Sequence, residues 1–130
     1  SAPALLALGI VCATAATAPT GAKAELEAAQ IHAKAATQMD SLQGVQLHLH
    51  HVINCLVGEH GAGYDAAAEA LSEHPCKGLG NGAIADSTTD PAMHRAAEAA
   101  LHTAKAGIKA TQLAAAHKDA TATLHALDRG

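Results

Sequence analysis

Apolar residues recur along this chain at helical rather than strand spacing. Leu42, Val45, Leu49, Val52 and Leu56 fall at alternating steps of three and four, one face of a helix from about Leu42 to Val57. Gly58 stops that helix, and Asp40-Ser41 before it can end one helix and cap the next. The preceding stretch, residues 22–39, alternates alanine with charged residues around Leu26, Ala29 and Ala33 and reads as a first helix. Its Glu25 and Glu27 sit in early turns, where the helix dipole favours anions. Further on, Asp90-Pro91 pairs an N-cap with a proline at the first helical position and predicts a third helix to about Ala106, ended by Gly107. Thr111 can cap a fourth to about Leu127, with a stripe of Leu113, Ala116, Ala120, Leu124 and Leu127.

Between the two pairs, residues 58–90 are irregular. A short helix is expected over 65–71, then loop chemistry in His74-Pro75-Cys76-Lys77-Gly78-Leu79-Gly80-Asn81-Gly82. The short spacer at Asp40 makes the first two helices antiparallel neighbours. Glu27-Ala28-Ala29 with Ala33-Lys34-Ala35 is echoed by Glu98-Ala99-Ala100 with Ala104-Lys105-Ala106, a faint trace of a duplicated hairpin. The expected fold is all-α: an antiparallel four-helix bundle of two helical hairpins over residues 22–130, with a long central Cys/Gly-containing loop over 58–90 and an apolar N-terminal segment over 1–21.

Composition sharpens this. Alanine supplies 35 of the 130 residues, Trp and Phe are absent, and Tyr64 is the single aromatic residue. A core without aromatics, which would each bury roughly 150–250 Å², is thin and gains from a disulfide, an ion or a partner subunit. The net charge is −4, from 8 basic and 12 acidic residues. No basic patch interleaves with aromatics, so nucleic acid is not an expected partner. The outlier is histidine, with 10 copies.

Residues 2–18 form an apolar run with an Ala-x-Ala triplet at Ala13–Ala15, the composition of a secretory h-region and cleavage site. The segment is a signal-peptide remnant, or a retained anchor or subunit-interface segment; its length is close to the roughly 17-residue lower limit of a membrane span. Each alternative places the protein in the periplasm or outside the cell, with membrane contact or a homo-oligomer as the retained forms. In such a compartment Cys55 and Cys76 are expected to form a disulfide, leaving Cys12 as a free thiol or an intermolecular link.

The chemically loaded stretch is His48-Leu49-His50-His51-Val52-Ile53-Asn54-Cys55. At about 100° per residue with His48 at zero, the apolar stripe centres near about 90°, Cys55 falls at about −20°, Gly44 at about −40° and His51 at about −60°. His48 and His51 can therefore reach one ion, whereas His50 points away. Zinc and copper both accept imidazole, and a disulfide would withdraw Cys55 as a ligand, so the site needs a ligand from another helix. His94 and His102 lie on one ridge of the third helix with Glu98 between them, an arrangement possible for a metal but somewhat more in keeping with a solvated face. His117 falls between Leu113 and Leu124 and should point inward, where a histidine is more often hydrogen-bonded core than ligand. His32 and His125 carry no spacing signal, and His60 and His74 are loop residues.

Gly44 beside His48 could also admit a flat cofactor such as haem, a less favoured reading; Cys-x-x-Cys-His is absent, so covalent attachment is excluded. Gly78-x-Gly80-x-Gly82 follows no strand and precedes no Gly-Lys-Ser/Thr, so it reads as a loop. Neither Gly-x-Ser-x-Gly nor His-Glu-x-x-His occurs, and no nucleophile is placed with a base, which argues against an enzyme.

The Ala, Glu, Lys and His alternation of Glu27–Ala35 and Glu98–Ala106 resembles the small His-rich metal-binding proteins of the bacterial periplasm. That resemblance covers the first and third helices and implies a four-helix bundle that binds copper or another divalent metal. The regularly repeated histidines of that family are absent here, so it assigns no individual ligand. The expected function is copper or zinc storage, buffering or transfer. The alternatives are a structural subunit of an oligomer, fibre or membrane complex, and a non-covalent haem-binding electron-transfer protein.

Overall fold

The computed structural model describes residues 21–70 and 75–128. The N-terminal run through residue 20, with Cys12 and the anchoring and interface roles expected of residues 2–18, lies outside them, as does His74. Among the described residues there are six helices and no strand: α1 Ala22–Gln38, α2 Leu42–Val57, α3 Ala66–Ala70, α4 Ala83–Asp86, α5 Pro91–Lys109 and α6 Leu113–Leu127. The regular structure of the described residues is all-helical, as the periodicity predicts. No described helix is long and apolar enough to cross a membrane.

Helix starts follow from side-chain chemistry. Ser41 Oγ accepts the Gly44 N–H at 3.0 Å and opens α2, and Asp90 accepts the Met93 N–H at 3.1 Å ahead of Pro91 to open α5. Gly58 ends α2 with φ 76°, a left-handed conformation that glycine adopts without strain. Three local expectations change. Helix α5 does not stop at Gly107 but continues to Lys109, because α2 caps it from outside: Gln46 Nε2 donates to the carbonyls of Gly107, Ile108 and Ala110 at 3.3, 3.1 and 2.9 Å. Gln112, not Thr111, occupies the N-cap position of α6, without a side-chain bond. The four-residue α4 has no counterpart in the apolar pattern.

The long helices pack in succession, α1 on α2, α2 on α5, α5 on α6 and α6 on α1, an arrangement compatible with a bundle. The core is unequal. Helix α2 contributes Val45, Leu49, Val52, Ile53 and Leu56, while the other three present mostly alanine: Ala29, Ala33 and Ala36, then Ala97, Ala100 and Ala104, then Ala116 and Ala120. The thin core inferred from composition is thus one bulky rib between alanine faces, and methyl-sized faces let the helices approach it closely. Gly107 extends this logic. A Cβ there would lie 2.4 Å from Leu49 Cδ1, and Leu49 is fully buried. Glycine inside a helix ordinarily costs about 1 kcal/mol against alanine, but overpacking costs about 1–3 kcal/mol. Gly107→Ala is therefore expected to destabilise by about 1 kcal/mol, measured as a lowered denaturant midpoint, where helix propensity alone predicts a gain.

Disulfide Cys55–Cys76 joins the end of α2 to the loop ahead of α4. Beside it, Glu25 is buried at 1% exposure rather than solvated on an outer turn. One carboxylate oxygen, Oε2, accepts the Gly82 N–H at 2.7 Å, and the side chain meets Asp86. Burial, and then the hydrogen bond with Asp86, push the Glu25 carboxyl up to about 8, against the lowering effect of the Gly82 N–H. The folded state thus holds this proton more tightly than the unfolded chain does. The stability it lends is present in full below the ordinary value of 4.5 and is lost as pH rises towards about 8. Denaturant melts of Glu25→Gln should lose that slope, and above pH 8 the variant should be the more stable protein. An unchanged slope would mean that Glu25 is ionised in the fold.

Candidate metal centre

The apolar stripe of α2 turns Leu49 and Val52 into the core and leaves His48 and His51 along its edge facing α1. Their third partner is His32 of α1. One ring nitrogen from each of His32, His48 and His51 lies within 4.8 Å of the others, the one group of three potential ligands found among the described residues. His32 and His48 are half-buried and His51 is fully buried. Ring centroids stand 5.5 Å apart for His32–His48, 5.0 Å for His32–His51 and 6.0 Å for His48–His51.

Two details bear on whether these residues fit an ion. The Nδ1 atoms of His32 and His48 are 3.2 Å apart. Two nitrogens bound to one tetrahedral zinc at about 2.0–2.1 Å stand about 3.3 Å apart, so this pair already has ligand separation. Without an ion a single proton must bridge the two rings, one donating and one accepting. The second detail is the anchoring of His51, whose Nε2–H donates to the Ala68 carbonyl of α3 at 3.0 Å. That bond places the ring's lone pair on Nδ1, and an outer hydrogen bond to a backbone carbonyl is the usual support of a metal-binding histidine.

Electrostatics favour the neutral, ligating form. Burial, then His51 and His48, push His32 down to about 4, and burial and His51 also lower His48. At neutral pH both rings are therefore uncharged, and an incoming cation has only to move the bridging proton off Nδ1, by a change of tautomer, rather than discharge an imidazolium. Three imidazoles without a carboxylate suit zinc or copper and offer little to calcium or magnesium, which take oxygen ligands.

The other candidates lie elsewhere. His94 Nδ1 sits 3.1 Å from both Ser87 Oγ and the Ile84 carbonyl, and its Nε2 is 3.1 Å from Glu98 Oε1. It staples α4 to α5. His102 is exposed on α5 and does not join it. His117 Nε2–H donates to the Met39 carbonyl at 2.6 Å, tying α6 to the α1–α2 turn as a hydrogen-bonded inward histidine. His50 pairs instead with Asp65 at 3.3 Å, on the far side that the helical wheel assigns it. His60 and His125 are exposed. Cys55 is bonded to Cys76 and is withdrawn as a thiolate. The space over Gly44 is taken by Met39, whose Cε lies 2.6 Å from where a Cβ would stand, so this glycine serves the α1–α2 turn rather than a flat cofactor.

Spacing within one helix could not reveal His32, because its partners are on another. The signal lay in the turn: folding the chain back at Asp40 sets residue 32 level with residue 48, eight positions away on either side.

Compared with protein families, curated proteins and solved structures, the chain matches none.

Proposed function

We propose that this protein is an exported, non-enzymatic metal-binding helical bundle that holds copper or zinc between α1 and α2 for storage, buffering or transfer. The observation that carries this reading is the convergence of His32, His48 and His51 from two helices, with two ring nitrogens at ligand separation. The packing succession of α1, α2, α5 and α6 and the short connections at residues 39–41 and 110–112 support an antiparallel bundle of two hairpins. The Cys55–Cys76 disulfide supports an oxidising compartment, the periplasm or the extracellular space.

Three protein ligands leave a tetrahedral ion with an open position. That position would let a carrier accept and release its ion by ligand exchange. Purified protein is expected to contain close to one equivalent of zinc or copper by elemental analysis, or to take it up after chelation with a rise in melting temperature. Protein that neither carries metal nor shifts on addition of either ion would overturn the reading.

A further inference from the structure

The metal ligand His51 is bonded to α3, a helix whose packing among the described elements is on α2. Helix α3 has five residues, far below the length at which an isolated helix persists in water. Among the described elements it packs on α2 and on no other. A seam of α2 side chains fixes it. Asn54 accepts the Asp65 N–H at 2.8 Å, donates to the Asp65 carbonyl at 2.8 Å and donates to Glu69 Oε1 at 2.9 Å. Asp65 in turn caps α3 by accepting the Ala67 N–H at 3.0 Å. His51 completes the seam through the Ala68 carbonyl.

We infer that Asn54 is a positioning residue of the metal centre, acting through α3, and that metal binding and α3 docking are coupled. This rests on the metal-binding reading above. Asn54 is 2% exposed and not a member of the histidine group. It holds Asp65 and Glu69, and thereby sets the Ala68 carbonyl between them. That carbonyl selects the Nε2–H tautomer of His51 and leaves Nδ1 as the ring nitrogen with the lone pair an ion would take. An ion on Nδ1 withdraws electron density from the ring and makes its Nε2–H a stronger donor, so the loaded site grips α3 harder. Linkage requires the reverse as well: a docked α3 raises metal affinity by the same factor. Loaded and empty protein then differ in how firmly the segment 65–70 is held, a difference that a metal-dependent partner can read.

The test combines zinc titration, the visible spectrum of the cobalt(II)-substituted site and amide exchange over residues 66–70, in wild type, Asn54→Ala and Asp65→Ala. Asp65→Ala removes the side-chain cap that starts α3, keeps the backbone bonds of residue 65 to Asn54 and leaves the core of α2 untouched, so it keeps the test valid if Asn54→Ala folds poorly. Zinc is expected to slow exchange at residues 66–70 in wild type. Each variant should bind zinc about 10- to 100-fold more weakly and shift the cobalt bands, which a loss of stability alone would not move. Wild type that binds zinc while the variants bind equally well with the same spectrum would overturn the inference and leave the metal site standing. Wild type that binds no zinc would overturn both.

Discussion

The rise in melting temperature on adding zinc is expected to vanish in His51→Ala. With zinc at about 100 times its dissociation constant, binding to the folded state alone adds about 2.7 kcal/mol, which for a chain of this size is a shift of roughly 10 °C. His51 is the fully buried member of the group and the one whose outer nitrogen is already engaged. Removing it takes away a ligand and frees the Ala68 carbonyl from its donor, so the metal-free variant should itself be about 1–3 kcal/mol less stable. His50→Ala supplies the control. His50 is the next residue along and stands outside the group; it pairs with Asp65 Oδ2 and leaves the Oδ1 cap of α3 in place, so its variant should keep the zinc shift. Equal loss in both would point to generic histidine binding rather than to this site.

Cleaving the Cys55–Cys76 bond should give the largest change in metal-free stability. The bond closes a loop with a sequence separation of 21, for which the chain-entropy account gives about 3 kcal/mol. Typical domains have only about 5–15 kcal/mol in total, and an alanine-faced core leaves this one little surplus. Among the described residues, the loop is otherwise fastened by hydrogen bonds such as the Gly21 N–H to the Leu79 carbonyl at 2.6 Å and Glu25 to the Gly82 N–H, and by close packing of the Asn81–Gly82 backbone on Val57 and Gly58. The denaturant midpoint should fall on adding a dithiol reductant, and Cys76→Ala should match the reduced protein. A midpoint indifferent to reduction would show that the loop is held by those contacts alone.

Much of the fold is legible in the residues. The stripe Leu42, Val45, Leu49, Val52 and Leu56 gives α2 its bounds, and Asp90-Pro91 and Ser41 give two starts with their caps. Gly107 misleads because its absent side chain answers a neighbour, Leu49, that local sequence cannot reveal, and because the cap of α5 comes from Gln46 on another helix. At the site, His48 and His51 are found by helical phase, and so is the exclusion of His50. His32 is hidden among alanines until the hairpin is folded at Asp40. Glu25 reads as a first-turn acid because charge and dipole are local, whereas its burial depends on a loop more than fifty positions downstream.

The central claim is that three histidines from two helices bind one ion, and His32 tests it most directly because no neighbour in its own helix supports it. Competitive zinc titration should give one ion per chain in wild type. His32→Ala should lose that binding as completely as His48→Ala, while His94→Ala, His102→Ala and His117→Ala retain it. Zinc bound undiminished by His32→Ala, or lost only on changing His94 or His102, would contradict the site described here.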